Sequence, residues 1–197
     1  MALNEEIPRL RDLLPASGRM KTRIVTNPRQ MEVIKAEFPK PWKKSHPISI
    51  NFDLWQDLSI AQRDLLFLRA AAWIETVQPL RVDVYQGVAA AGVLGFLVEL
   101  SQFDAIGVLT AGGLTAFAGA QIWRNSRGNQ AEVAADEAAI KVAQRRGYAE
   151  ATAAQELLAA IETAVRLEGR SNLSFAELTR TQNLRAIANL SASPASK

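Results

Sequence analysis

Forty consecutive residues, from 84 to 123, carry only two charges, Glu99 and Asp104, and both fall near the middle of the run. Apolar surface of that extent must be covered, either by lipid or by protein. A helix crossing the hydrocarbon core needs about 20 largely apolar residues. The second half, 105–123, supplies nineteen uncharged residues and the first, 84–98, supplies fifteen. The pattern predicts two membrane-spanning helices joined by a short acidic turn. Small residues recur four apart at Gly87, Ala91 and Gly95, and again at Gly107, Ala111, Thr115 and Gly119. That spacing lets helix backbones pack closely within a bilayer. The competing reading is an Ala/Gly-rich hairpin buried in protein. Because the first half is short, it needs neighbouring helices, which makes the hairpin a candidate partner-binding surface. Arg81, Arg124 and Arg127 flank its outer ends. The positive-inside rule therefore places both termini on the cytoplasmic side, and the polar first thirty residues show no signal-peptide core.

Composition excludes several chemistries. The chain of 197 residues has no cysteine, so disulfides and thiolate catalysis are out. Its single histidine, His46, cannot form a site needing two imidazoles. No cofactor is expected. The +3 net charge is uneven: residues 1–46 hold ten Lys/Arg against five Asp/Glu. This basic segment suits an anionic membrane surface or an acidic protein face. The cations are not interleaved with stacking aromatics, so nucleic acid is not an expected partner. Lys40, Lys43 and Lys44 surround Trp42, a grouping that suits a membrane interface. An exposed arm packed by one aromatic fits the same residues.

The fold class predicted is mainly α: a helical cytoplasmic domain with a short β element, interrupted by the two-helix transmembrane hairpin. Residues 1–46 are expected to be a basic, largely extended arm with a short amphipathic helix over 4–14, ended by Pro15. Residues 47–83 should hold a strand, from the alternation Ile48-Ser49-Ile50-Asn51-Phe52, and a helix from about 60 to 77. Ser59 and Gln62 have the spacing of a capping box at its start. After the hairpin at 84–123, residues 124–189 should complete the domain with helices over about 129–146, 150–168 and 175–188. Gly147 and Gly169 stop the first two, and a second capping box at Ser174 and Glu177 opens the third. Residues 190–197 are expected to be a loose tail.

Two resemblances add to this reading. The segments LLPASGRM (13–20), INFDLWQDLS (50–59), QRDLLFLR (62–69), YQGV (85–88), ADEAAIKVAQRRGY (135–148) and QNLRAIA (182–188) resemble a cyanobacterial family of membrane proteins of unknown function. That resemblance implies a thylakoid or plasma membrane location, and a place beside photosynthetic complexes. More remotely, the order strand, Leu58-Ser59, apolar helix, hairpin, then Glu132-Val133-Ala134-Ala135-Asp136 and Gly147-Tyr148 resembles the HtpX-type membrane zinc metallopeptidases. In those enzymes H-E-x-x-H on the first helix supplies two zinc ligands and the general base. Aligned on Leu58-Ser59, the three positions become Arg69, Ala70 and Trp73, none of which binds Zn²⁺ or activates water. Arg69, Ala70, Trp73, Glu132 and Asp136 are therefore the expected remains of a lost site, with Arg69 bridging to the two carboxylates.

Ser17, Ser59 and Thr152 have no His/Asp partner pattern, and Asp12, Asp53, Asp57 and Asp64 are scattered. The expected function is a non-catalytic integral membrane protein, an adaptor or accessory subunit of a membrane complex on a degenerate peptidase-like scaffold. Its partners would be the bilayer and a membrane protein. Two alternatives remain: a peripheral lipid-binding protein using the basic arm and a shallow hairpin, or a metal-dependent membrane hydrolase with carboxylate ligands.

Overall fold

The computed structural model describes residues 3–40, 42–77 and 128–192, with single positions at 113, 116 and 117. One compact unit joins Met1–Val77 to Asn129–Lys197, so residues distant in sequence build one core.

Helix α1 spans Leu3–Leu13 and α2 spans Ala16–Lys21; strand β1 (Thr22–Thr26) follows directly. Strands β2 (Ile34–Ala36) and β3 (His46–Ile50) complete a three-stranded sheet of order β1-β3-β2. β1 runs parallel to β3, pairing Thr22 with His46 and Thr26 with Ile50, and β2 runs antiparallel, pairing Ile34 with Ile50. With period-2 alternation, Ile24, Ile34, Ala36, Ile48 and Ile50 share one face, and Ile48 and Ile50 are fully buried. Segment 19–46 is therefore extended in part, but it is tied into a sheet. The expected strand over 48–52 begins two residues earlier and stops at Ile50. Asn51 then turns the chain, its side chain accepting from Asp53 N to cap the one-turn helix α3 (Phe52–Trp55).

The central helix α4 spans Ile60–Thr76. Its capping box is formed: Gln62 N donates to Ser59 Oγ at 3.2 Å and Ser59 N donates to Gln62 Oε1 at 3.1 Å. Leu65, Leu66, Phe67, Leu68, Ala71 and Ile74 are buried around most of its circumference, as expected of a helix enclosed by others. The remaining helices are α5 (Asn129–Gln144), α6 (Glu150–Leu167) and α7 (Phe175–Ala192). α5 packs against α4, and α6 packs against both α4 and α7. Gly147 and Gly169 take φ of 96° and 68°, the left-handed region that terminates helices most readily with glycine. Both ends carry the paired backbone bonds of that stop, Tyr148 N to Ala143 O with Gly147 N to Gln144 O, and Arg170 N to Val165 O with Gly169 N to Arg166 O.

The transmembrane hairpin is a correction. No helix among the described residues is long and apolar enough to cross a membrane. The longest, α6 and α7, have eighteen residues each, but Glu150, Glu156, Glu162 and Arg166 interrupt the first and Glu177, Arg180 and Arg185 the second. Apart from positions 113, 116 and 117, the run 84–123, with Gly87, Ala91, Gly95, Gly107, Ala111, Thr115 and Gly119, lies outside the described residues. The cytoplasmic placement of both termini rests on that same hairpin and gains no support from them.

Candidate functional site

The side chains of α4 and α5 that sequence reasoning singled out meet in one place. Glu132 and Asp136 are four apart and so share a face of α5. Arg69 and Trp73, likewise four apart, face them from α4. Trp73 Nε1 donates to Glu132 Oε1 at 2.7 Å, and Arg69 Nη2 donates to Glu132 Oε2. Arg69 Nε lies 3.5 Å from Asp136 Oδ1, with no hydrogen-bond partner of good geometry. Ala70, beside them on α4, is buried and offers only a methyl group.

One member of the cluster was not foreseen. Arg180 of α7 donates from Nε and Nη2 to the two carboxylate oxygens of Asp136, both at 2.8 Å. Asp136 is 0% and Arg180 7% exposed. The available signal was positional: Arg180 falls on the same stripe of α7 as the buried Leu184 and Ala188, and a charge on an apolar stripe needs a buried partner. Burial, followed by repulsion from Arg180, lowers the Arg69 pKa to about 9, against the pull of Asp136, so Arg69 remains a cation at neutral pH. Two guanidinium groups thus neutralise two carboxylates.

A cavity of about 530 Å³ opens beside this cluster, lined by Leu66 and Ile161 together with Arg69, Arg170, Arg180 and Glu177. Its lining carries a further ion-pair set. Arg170 donates from Nη1 and Nη2 to Glu177 at 2.9 and 2.7 Å and from Nε to Glu168 at 2.9 Å. Glu168 in turn accepts from Val33 N at 2.9 Å. The Arg170 fork, opposed by burial and helped by Ser174, holds Glu177 at a pKa of about 2. Each guanidinium on the cavity wall is already matched to a carboxylate of the fold.

A second network lies near the start of α4 and was also missed. Asp64, 4% exposed, accepts from Arg9 Nη1 and, at 2.9 Å, from the Tyr148 hydroxyl. Arg9 also donates twice to Glu6, at 2.9 Å each, and Trp55 Nε1 donates to Glu6 at 3.1 Å. Burial raises the Glu6 pKa, but the bonds from Arg9 and Trp55 outweigh it and hold the group below its usual value. These contacts fasten α1 to α4 and to the α5–α6 junction.

Among the described residues, no group of three His, Cys, Asp or Glu side chains is placed to hold a metal ion. Lys40, Trp42, Lys43 and Lys44 are all exposed, far from this cluster in the sequence, and Trp42 is 77% exposed.

The fold and its clusters define a mainly helical domain with a small sheet, built on a hydrophobic core and crossed by arginine–carboxylate pairs, of which Arg180–Asp136 is buried. The chain belongs to the family described as protein of unknown function (DUF3318), whose model matches residues 8–148. It is 32% identical over 143 residues to the thylakoid membrane protein slr1949 of Synechocystis sp. (strain ATCC 27184 / PCC 6803 / Kazusa), across 70% of this chain and 68% of that one. No solved structure matches. A cyanobacterial family of unknown function is thus shown, with a thylakoid membrane protein among its relatives. The metallopeptidase resemblance has no support: neither match carries it, and E-x-x-A-D is a short pattern common in Ala-rich helices.

Proposed function

We propose that the protein is a non-catalytic accessory protein of the thylakoid membrane, a helical scaffold that joins or supports a photosynthetic membrane complex. The observation that carries this reading is the charge pairing within the α4–α5–α7 cluster. Glu132 receives Arg69 and Trp73, and Asp136 receives both nitrogens of an Arg180 fork. A general base needs a carboxylate free to take up a proton, and a metal site needs carboxylates whose charge is not already neutralised. Carboxylates tied to fixed cations supply neither, which counts against the carboxylate-metal hydrolase. The name of the relative, a thylakoid membrane protein, supports the location.

The test is native separation of thylakoid membranes solubilised in mild detergent, with metal analysis of the purified protein. Migration with a complex much larger than 21.5 kDa, without stoichiometric metal, is expected. Migration as the free chain under all detergent conditions defeats the accessory role, and one metal ion per chain lost in Glu132→Ala defeats the non-catalytic one.

A further inference from the structure

We propose that the end of the sheet carrying Met20, Lys21, Lys40, Trp42, Lys43 and Lys44 is a docking surface for an anionic lipid bilayer. The inference rests on the membrane association proposed above and deepens it by naming the contact.

The backbone collects these residues from separate segments. Lys21 ends α2, immediately before Thr22, and Thr22 pairs with His46 at the start of β3. Lys43 N donates to Lys40 O at 3.0 Å, closing a turn that carries Trp42 just ahead of β3. His46 lies within electrostatic reach of both sides: after burial, Lys43 and Lys21 are what lower its pKa. The end of the sheet where β1 and β3 begin is therefore flanked by four lysines, together with Met20 and Trp42.

The apolar members are the unusual part. Met20 is 79% and Trp42 77% exposed. Neighbouring apolar groups of the same loop are used differently: Phe38 packs edge-on against Trp73, with centroids 6.3 Å apart, and Pro39 is buried. The loop is anchored through 38–39 and presents Trp42 outward. An indole is the side chain best suited to the headgroup layer, and lysines beside it meet anionic headgroups. The lysines are also available. Lys40, Lys43 and Lys44 are exposed, whereas Lys35 is already paired with Glu32 at 2.6 Å. The charge complementarity and the protruding indole together favour a bilayer over an acidic protein face, which would not require Trp42 and Met20 to stand clear of the surface.

The experiment uses the full chain and vesicles of phosphatidylcholine with and without about one-third phosphatidylglycerol, scored by co-flotation. Binding should require phosphatidylglycerol and weaken sharply with added salt. At about fivefold per lysine, Lys43→Gln with Lys44→Gln should weaken binding by roughly 20-fold or more. Trp42→Ala should weaken it by several-fold, while Lys141→Gln on α5 leaves it unchanged. Melting curves equal to the parent's show that the variants fold. Absence of binding to the anionic vesicles, equal binding to both vesicle types, or variants that bind like the parent overturns the proposal; the last outcome assigns the contact to another part of the chain. Because no partner protein is present, failure here is separate from failure of the accessory role, which is read by migration of the complex.

Discussion

Asp136 has no solvent exposure, and its two oxygens are matched by Arg180 and approached by Arg69. Removing the carboxylate strands a buried guanidinium, so Asp136→Ala should cost about 3–5 kcal/mol, as breaking one side of a buried pair does. Replacing both partners, Asp136→Leu with Arg180→Met, should recover most of that loss. Urea unfolding followed by circular dichroism measures both, and a cost of Asp136→Ala below 1 kcal/mol would show the pair to be no more than a surface contact. Tyr148 offers a second residue-level test. Burial, and then its bond to the Asp64 carboxylate, raise its pKa to about 12. The folded state favours the neutral phenol, so its contribution to stability is full below the usual value of about 10. It is lost as pH rises from there to about 12. The chain has two tyrosines. In Tyr85→Phe, absorbance at 295 nm should report Tyr148 alone, with a midpoint near 12 that Asp64→Asn moves back down. A midpoint at the ordinary value would contradict the bond. The legibility of these residues differs. Glu132 and Asp136 could be placed on one face because helical spacing is local. The partners of Arg180 and of Asp64 could not be read, because the pairing helices are brought together only by packing.

At the scale of elements, the helix signals that were legible are those written within five residues. The capping boxes at Ser59 and Ser174 and the stops at Gly147 and Gly169 each satisfy backbone groups that a helix end leaves open. The sheet was less legible for the converse reason. β1 and β2 have five and three residues, and their identity as strands depends on β3, which begins only at His46 and runs parallel to β1 and antiparallel to β2. α2 and α3 are likewise too short to show a period. The start of α7 carries a prediction. Glu177 accepts from Ser174 N at 2.7 Å and from Arg170 twice, and its pKa falls to about 2. A depressed carboxylate contributes stability above its unfolded value of about 4.5 and loses it as pH falls toward 2. Glu177→Gln should therefore lower the melting temperature by several degrees at pH 6, and by less at pH 3, where part of the contribution is already lost. The same loss at both values would mean that the ionised form contributes nothing.

For the whole molecule, the chain leaves its compact unit after Val77 and re-enters it at Asn129. The contacts show how the two ends meet. Trp73 bonds to Glu132, Arg69 reaches Asp136, and Asp64 bonds to Tyr148, so numbers fall along α4 as they rise along α5. The two helices are antiparallel neighbours. Thr76 lies three residues beyond Trp73 and Asn129 three residues before Glu132, which brings the two helix ends to the same level. With packed helices about 8–10 Å apart, a linker of about six residues can close the gap. The forty-residue apolar run that most constrained the sequence reading thus falls within an insertion between two helices that already complete one core. Replacing 78–128 by a short Gly/Ser linker should leave a chain that melts in one cooperative transition. In that background Asp136→Ala should still cost about 3–5 kcal/mol, because Arg69, Arg180 and their partners all lie inside the retained unit. Circular dichroism and calorimetry decide it. A shortened chain without a cooperative transition would show that residues 78–128 contribute to the core, and that the buried ion pairs are not enough to hold α4, α5 and α7 together.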